Sequence, residues 1–255
     1  MILHALNSYF SRMNENMPIP GFSLQDISFS LILNQDGNLL NVEDIRIEKK
    51  QKNTIKLIPK KMIVPTTKEG KRSGKSPPPY FLWDNTKYVL GATIEKNGKD
   101  KLFIETPERF ASFKKLLHKI GDSLKDDGIL AVLRFIELWQ PSCSVSLPYW
   151  NEMINSSIIF RLDGKHQYVH ESPVVREAWL KYYYDSSSKY QSSCLITNKY
   201  APIAQTHPPI KGVENANKQE QTSSHSIRML SSHIIKNKAS MLRSVKKLHS
   251  IIPLL

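Results

Sequence analysis

Asp44, Glu48 and Lys50 are the residues of this chain whose types and spacing come closest to a catalytic set. In metal-dependent nucleases, two carboxylates hold Mg²⁺ and a lysine steadies the attacking water. The two acids here lie four positions apart on one predicted strand, which is tighter than such a site usually allows, and no third acid is obvious. The preferred interpretation is an exposed charged strand, and a metal-dependent nuclease is kept as the alternative.

The segment Gly70-Lys-Arg-Ser-Gly-Lys-Ser76 superficially resembles a phosphate-binding P-loop. The spacing rejects this interpretation, because the first glycine of the motif would fall at position 69, which is Glu69. The helix that must follow a P-loop is also excluded, since three prolines occupy positions 77 to 79. The sequence therefore does not predict an NTPase.

Motifs for metal binding and nucleophilic catalysis are missing from the sequence. The eight histidines include no H-x-x-x-H pair on a predicted helix, and no G-x-S-x-G elbow occurs. His170 and His207 are interpreted as structural hydrogen-bonding residues rather than catalysts. Cys143 and Cys194 stand alone, without disulfide or zinc spacing, which is typical of a reduced, cytoplasmic protein. We therefore expect no catalytic residue, no metal and no cofactor.

The distribution of charge favours a polyanionic partner. The chain has 36 Lys and Arg against 23 Asp and Glu, a formal net charge of +13. Residues 46–75 contain eleven basic and two acidic residues, residues 214–255 contain seven and two, and the remainder is nearly neutral. Nucleic acid and an anionic membrane surface are the candidate partners. We expect no signal peptide, and the sequence has no run of about 18 apolar residues that would span a membrane.

Part of this charge falls in a predicted basic loop, residues 65–79. The loop contains Gly, Ser, Pro, Lys and Arg with almost nothing to bury, so we expect it to be mobile and to become ordered on a partner. Apolar segments at 81–85 and 88–91 follow directly and are expected to anchor the loop to the core. Trp83 and Tyr88 in these segments are interpreted as core residues rather than base-stacking platforms.

The elements that must position these residues form an α+β domain. Two apolar or alternating runs, 27–33 and 39–47, flank an Asp-Gly step that favours a tight hairpin. A third strand at about 54–64 would complete a small antiparallel sheet. Helices are predicted to pack on this sheet, and they begin at Ile2, after a Thr-Pro cap at 106–107, at about Asp126 and at Pro173.

Seven sets of segments share their order and spacing with one known family. They are Met1-Ile-Leu-His-Ala-Leu6; Pro20-Gly-Phe22 with Ile27-Ser-Phe29; Arg72-Ser-Gly74 leading to Phe81-Leu-Trp-Asp-Asn85 and Tyr88-Val-Leu-Gly91; Phe160-Arg-Leu-Asp-Gly164; Ala178-Trp179; Cys194-Leu-Ile-Thr197; and Ala201-Pro-Ile-Ala204 with His207-Pro-Pro-Ile-Lys-Gly-Val213. None is specific alone, but the ordered set is. Over a domain of residues 1–217, the chain resembles the N-terminal part of the large subunit of type I-C (Dvulg subtype) CRISPR interference complexes, known as Cascade.

This resemblance implies a non-enzymatic DNA- and RNA-binding subunit of a crRNA-guided antiviral surveillance complex. Such subunits help to recognise the motif that flanks the target and assist strand separation. The implied partners are the crRNA, target double-stranded DNA, the guide-processing and backbone subunits, and a helicase-nuclease recruited later, with no membrane. Arg72 could contact guanine in bidentate fashion, although phosphate binding is the safer assignment. The expected nucleic-acid-binding residues are Lys60, Lys61, Lys68, Lys71, Arg72, Ser73, Lys75, Asn85 and Lys87.

Residues 218–255 do not continue the resemblance. After Glu220 this segment contains no acid, and its apolar residues would also fit a basic amphipathic helix that binds a membrane or a partner. Synonymous codons permit a second reading frame from Glu220 to Leu255 that has no stop and encodes a peptide like the family's normal continuation. We therefore predict a frameshift near residues 217–220, a truncated product, and an off-frame tail that is disordered or weakly helical.

Overall fold

The computed structural model of the chain describes residues 5, 8–9, 12, 19, 21–51, 54–67, 77–97, 100–185, 191–193 and 200–202. The chain divides into two compact units, Met1–Ser187 and Ser188–Leu255. In the second unit the structure describes one short antiparallel strand pair. The predicted tail at 218–255, and most of the predicted helix that begins at Ile2, lie outside the described residues.

The described elements mix helices with small sheets, which confirms the predicted α+β class. Two short 3-10 turns, at Pro141–Ser146 and Val169–Glu171, accompany them. The strands and helices, in chain order, are β1 (Phe22–Ile27), β2 (Phe29–Leu33), β3 (Leu39–Asp44), β4 (Ile47–Gln51), β5 (Thr54–Ile58), β6 (Lys60–Pro65), β7 (Trp83–Asn85), α1 (Thr86–Val89), β8 (Ala92–Asn97), β9 (Asp100–Glu105), α2 (Pro107–Gly121), α3 (Asp127–Leu138), α4 (Trp150–Met153), β10 (Ser157–Leu162), α5 (Pro173–Asp185), β11 (Gln191–Ser193) and β12 (Tyr200–Pro202).

A four-stranded sheet in the order β3-β2-β10-β7 lies in the core of the first unit. β3 and β7 are antiparallel to their neighbours, whereas β10 runs parallel to β2. The sheet is therefore mixed rather than wholly antiparallel, because the chain passes through α2, α3 and α4 before it returns beside β2. β2 is buried along its whole length, as expected for a strand with both faces covered.

The predicted hairpin around the Asp-Gly step is confirmed, since β2 and β3 pair in antiparallel register. Gly37 in the turn has φ +86°, a left-handed conformation that residues with a Cβ adopt only at a cost. A Cβ at this position would lie 2.6 Å from the backbone nitrogen of Phe135. Helix α3 thus packs directly against the turn, and only glycine leaves room for it.

The prediction of one strand at 54–64 is wrong. Pro59 divides this stretch into β5, which pairs with β4, and β6, which pairs with β1. Proline has no backbone N–H to donate, so it separates the two strands. The β4–β5 and β1–β6 pairs are two-stranded ribbons outside the central sheet. The basic stretch that begins at Arg46 therefore runs through both ribbons before it reaches the basic loop.

Helices α2, α3 and α5 contribute most of the helical side of the main core. The Asp126 carboxylate caps α3 by accepting a hydrogen bond from the Ile129 backbone N–H at 3.0 Å. Thr106 makes no such cap bond at the start of α2, and its hydroxyl donates instead to the Lys87 carbonyl oxygen at 2.7 Å. This bond ties the start of α2 to α1. Within the described residues, no helix combines the length and apolar character needed to cross a membrane.

Candidate nucleic-acid interface

The basic loop begins at a fixed point, Pro65 at the end of β6. The indole Nε1 of Trp83 donates a hydrogen bond of 2.6 Å to the Pro65 carbonyl oxygen. The following backbone N–H, that of Thr66, donates to the Gly21 carbonyl oxygen at 2.8 Å. Pro65, Thr66 and Trp83 are buried, so an unpaired carbonyl here would cost about 1–3 kcal/mol. The start of the loop is held against the core, which corrects the prediction that residues 65–79 bury almost nothing.

The loop has a second fixed point near its end, at Pro77. The phenol of Tyr88 donates a hydrogen bond of 2.5 Å to the Pro77 carbonyl oxygen. Tyr88 is 1% exposed and Trp83 is 4% exposed, so the prediction that both are core residues is confirmed. The guanidinium of Arg109 lies over the Tyr88 ring, 5.6 Å from its centroid. A buried residue therefore holds the end of the loop, with a cation beside it.

Residues 80–84 follow the loop and include Trp83, which holds its start. The rings of Tyr80 and Trp83 stack with their centroids 4.2 Å apart and 6° between their planes. The buried carboxylate of Asp84 accepts hydrogen bonds from the backbone N–H groups of Tyr80 at 3.0 Å and Asn85 at 2.8 Å. Leu82 has φ +62°, which costs a non-glycine residue about 1–2 kcal/mol. Its complete burial compensates for this conformation.

Two of the predicted nucleic-acid-binding residues, Lys60 and Lys61, are exposed at the start of β6. The Lys60 ammonium lies 6.0 Å from the centroid of the Tyr168 ring. Lys61 forms an ion pair of 3.0 Å with Asp26, and both side chains are well exposed. Exposed pairs of this kind contribute at most about 1 kcal/mol, so Lys61 can exchange its partner for a phosphate at little cost.

Two further predicted residues, Asn85 and Lys87, are half-buried around α1. The side-chain oxygen of Asn85 caps this helix by accepting a hydrogen bond from the Lys87 backbone N–H at 3.1 Å. Asn85 thus has a structural task that the sequence did not indicate. The other predicted residues, Lys68, Lys71, Arg72, Ser73 and Lys75, lie outside the described residues.

β4 and β5 form a ribbon, here called the β4–β5 ribbon, whose described side chains from Ile47 to Leu57 are all exposed. The exposed apolar residues include Ile55 at 60% and Leu57 at 49%. Residues 46–61, which contain the ribbon, have seven basic residues and one acidic residue. The ribbon therefore extends the positive surface from Lys60 and Lys61 towards the N-terminus.

Arg46 belongs to the fold rather than to this positive surface. Its guanidinium donates to both carboxylate oxygens of Asp44, at 2.8 and 2.6 Å, and also contacts the carboxylate of Glu152. It lies over the Phe29 ring, 4.9 Å from the centroid. The hydrogen bond from Arg46 lowers the pKa of the Asp44 carboxyl, which keeps the pair charged.

The residues of the alternative nuclease site are not brought together. Asp44 ends a strand of the central sheet with both carboxylate oxygens bound to Arg46, whereas Glu48 and Lys50 lie on the exposed β4. The described part of the chain contains no group of three His, Cys, Asp or Glu side chains that could hold a metal ion.

His170 is buried and structural, but it is not the well-bonded residue that the sequence suggested. It is 1% exposed and packs beside Tyr168, with ring centroids 6.0 Å apart. Burial, together with the charge of Arg176, lowers the pKa of His170 to about 3. The backbone of Ile63 approaches the ring without a well-aligned hydrogen bond. His207 lies outside the described residues.

Sequence reasoning missed two cationic features of this surface. Arg109 lies over the ring of Tyr88, which holds the end of the loop, because α2 packs beside α1, and no local pattern indicates that contact. Lys49 lies directly opposite Lys56 in the β4–β5 ribbon. Pro59 was the available signal for this pairing, because a strand break there leaves a short hairpin whose register opposes the two lysines.

Comparison with known proteins gives one family match. Residues 6–224 match the family model described as CRISPR-associated protein (Cas_Csd1). No curated protein matches the chain. The matched span includes the basic loop, both of its fixed ends and the β4–β5 ribbon.

Proposed function

Because the chain belongs to the CRISPR-associated protein (Cas_Csd1) family, and so has a role in CRISPR defence, we propose that it is a non-enzymatic large subunit of a type I-C crRNA-guided surveillance complex. In RNA-guided complexes, base pairing with the guide reads the sequence, while protein reads a short flanking motif and holds the backbones. The proposed partners are crRNA, target double-stranded DNA, the guide-processing and backbone subunits, and a recruited helicase-nuclease. The contribution proposed for this chain is DNA contact beside the flanking motif.

The observation that carries this proposal is the fixation of the basic loop at both ends. Trp83 holds Pro65 and Tyr88 holds Pro77. Residues 68–76 between these points include four basic residues and one acidic residue. Because both attachment points of this segment are fixed before a partner binds, the entropy lost on association is limited. Phosphate oxygens are the ligands that such a concentration of Lys and Arg favours.

Cations around the loop support the same assignment. Lys60 and Lys61 precede it on β6, and Arg109 lies over the ring of Tyr88, whose hydroxyl holds Pro77. The Lys60 and Lys61 side chains are exposed, and Arg109 is half-buried against Tyr88. Outside the two basic stretches the chain is nearly neutral. A polyanion would therefore be attracted to the basic stretches rather than to the whole molecule.

Reversal of Lys71, Arg72 and Lys75 to glutamate in the full chain tests the proposal. Binding to a labelled DNA duplex would be followed by fluorescence anisotropy over a series of NaCl concentrations. If these residues contact phosphates, affinity falls by at least about tenfold, and the slope of log K against log salt decreases by about 0.9 for each lost contact. The matched control reverses Lys115, Lys125 and Lys181, which are exposed on or beside helices α2 and α5. Equal losses in both triple variants, or no loss in either, would overturn the assignment of DNA contact to the loop.

The same preparation separates this proposal from the nuclease alternative. We expect salt-sensitive binding of the duplex without cleavage when Mg²⁺ is added. Cleavage that disappears in Glu48→Ala would instead support a metal-dependent nuclease. Because Glu48 lies on the exposed β4, this substitution should leave the fold intact.

A further inference from the structure

The β4–β5 ribbon opposes two like charges. Lys49 and Lys56 are cross-strand partners, and both side chains are exposed. Directly opposite residues of an antiparallel pair share one face, with Cβ atoms about 4.5–5.5 Å apart, and like charges in this arrangement are destabilising. Neither lysine has an ion-pair partner among the residues that the structure describes. The free protein therefore carries an electrostatic cost here that an anion would relieve.

Charge is also unevenly divided between the two faces of the ribbon. Side chains alternate along a strand, so Glu48 and Lys50 lie on the face opposite to Lys49. Their cross-strand partners on that opposite face are Leu57 and Ile55. Glu48 is the one acidic residue in 46–61. The face of Lys49 and Lys56 therefore has positive charge without a compensating acid from the ribbon.

We infer that the face formed by Lys49 and Lys56 binds the phosphate backbone of duplex DNA. A phosphate placed between the two ammonium groups replaces their repulsion with two attractive contacts. The ribbon continues through Pro59 into β6 and from there into the basic loop. This inference rests on the proposed function and adds to it a second contact surface, on a separate strand pair from the loop.

Duplex DNA fits this surface better than a single strand does. A duplex carries one charge per about 1.7 Å of its axis, so it gains more from paired cations and releases more counterions. A two-stranded ribbon also has dimensions that the major groove admits. Lysine suits phosphate binding because it acts as a point charge and requires no particular base edge.

Single alanine variants of the full chain test the inference, with Lys50→Ala as the matched control. Lys50 is next to Lys49 on the same strand and is also exposed, but it points to the other face. We expect Lys49→Ala and Lys56→Ala each to weaken binding of a labelled duplex by about three- to tenfold and to lower the salt slope by about 1. Lys50→Ala should change both quantities by a clearly smaller amount. Equal effects of all three substitutions would indicate diffuse attraction and overturn the inference, as would no effect of Lys49→Ala and Lys56→Ala.

Hydrogen exchange of the free variants distinguishes lost contacts from a damaged ribbon. Removing one of two opposed charges should leave the ribbon amides exchanging at the same rate or more slowly. Weaker DNA binding together with faster ribbon exchange would contradict the inference. Single-stranded RNA of the same length is the comparison probe, and equal losses for RNA and duplex would contradict the assignment to duplex DNA.

The outcome for the ribbon can be separated from that for the proposed function. If reversal of Lys71, Arg72 and Lys75 weakens duplex binding while Lys49→Ala and Lys56→Ala do not, the ribbon inference fails and the proposed function stands. If the ribbon variants weaken binding and the loop variant does not, the loop assignment fails and the ribbon inference stands.

Discussion

The indole nitrogen of Trp83 lies 2.6 Å from the carbonyl oxygen of Pro65 and donates a hydrogen bond to it across eighteen residues of chain. This bond joins β7 of the central sheet to the end of β6, where the basic loop begins. Tyr88 makes the corresponding bond to Pro77 at the loop's other end. The core thus fixes where the loop leaves the fold and where it returns.

Trp83→Phe should therefore impair both stability and DNA binding. Phenylalanine can retain much of the stacking on Tyr80 but leaves the buried Pro65 carbonyl without its donor, at a cost of about 1–3 kcal/mol in the free energy of unfolding. Denaturant unfolding and anisotropy with duplex DNA would measure the two effects. Trp139→Phe is the control. The Trp139 indole also donates to a backbone carbonyl oxygen, that of Leu90 at 3.0 Å, but Leu90 is not part of the loop. If Trp139→Phe weakened DNA binding as much as Trp83→Phe, the loop anchor would have no special role.

Tyr88→Phe should loosen the other end of the loop. The variant keeps the buried ring and removes only the hydroxyl that binds the Pro77 carbonyl, so unfolding should become easier by about 1 kcal/mol. Backbone amides just after the three prolines, from Tyr80 onwards, should exchange faster. Tyr149→Phe, at an exposed tyrosine, is the control and should leave exchange at these amides unchanged. Unaltered exchange in Tyr88→Phe would show that the bond does not restrain the loop.

The parts of the fold that local signals encode were predictable from the sequence. The Asp-Gly step indicated the β2–β3 hairpin, and the helical spacing of apolar residues after Asp126 indicated α3, whose start the Asp126 carboxylate caps in the structure. The insertion of β10 beside β2 was not predictable, because it pairs residues more than a hundred positions apart and has no local pattern. The same reason explains why the structural role of Arg46 was not predictable. Its neighbours in sequence indicate a basic surface, but its guanidinium contacts Glu152, 106 residues later.

The candidate interface was predictable where charge and aromatic residues are neighbours in sequence. The basic loop and its anchors Trp83 and Tyr88 met that condition. Arg109 did not, because only the packing of α2 against α1 brings it over the Tyr88 ring. The off-frame origin of residues 218–255 stays a prediction, and codons in the gene that forbid the second reading frame would reject it.

Gly37→Ala should be among the most destabilising single-methyl changes in this domain. The added Cβ would lie 2.5–2.8 Å from atoms of Arg134 and Phe135, including backbone, at a positive φ. We expect a loss of at least about 2 kcal/mol in the free energy of unfolding. Gly164→Ala is the matched control, since its φ is +71° and its Cβ would meet nothing within 4 Å. It should cost about 1 kcal/mol, and equal losses in the two variants would contradict tight packing of α3 on the turn.

His170 should make the fold less stable in acid. Its pKa is 6.5 in the unfolded reference and about 3 in the folded state, so the unfolded chain takes up the proton first. The stability associated with the neutral ring is fully present above pH 6.5 and is lost as the pH falls towards 3, by up to about 1.4 kcal/mol per pH unit. The unfolding free energy of the wild type minus that of His170→Phe, measured over this range, should decrease as the pH falls. Parallel curves for wild type and His170→Phe would contradict the buried neutral histidine.

His118 should act in the opposite direction and more weakly. Its two ring nitrogens lie 2.7 Å from Asp122 and 2.8 Å from Glu137, and the bond to Asp122 is the main cause of its raised pKa. The folded state therefore holds the proton more tightly, so the stability is present below pH 6.5 and is lost as the pH rises through the folded pKa. The side chain is partly exposed, which limits the effect to less than about 1 kcal/mol. His118→Gln should remove this dependence, and an unchanged pH profile in that variant would contradict it.

The most direct test of the proposed role is a structure of the chain assembled with its guide RNA, partner subunits and a target duplex. We expect density for residues 68–76 in contact with the phosphate backbone next to the flanking motif, while Trp83 and Tyr88 keep their bonds to Pro65 and Pro77. A complex in which the basic loop extends into solvent, away from both DNA and RNA, would contradict the proposal.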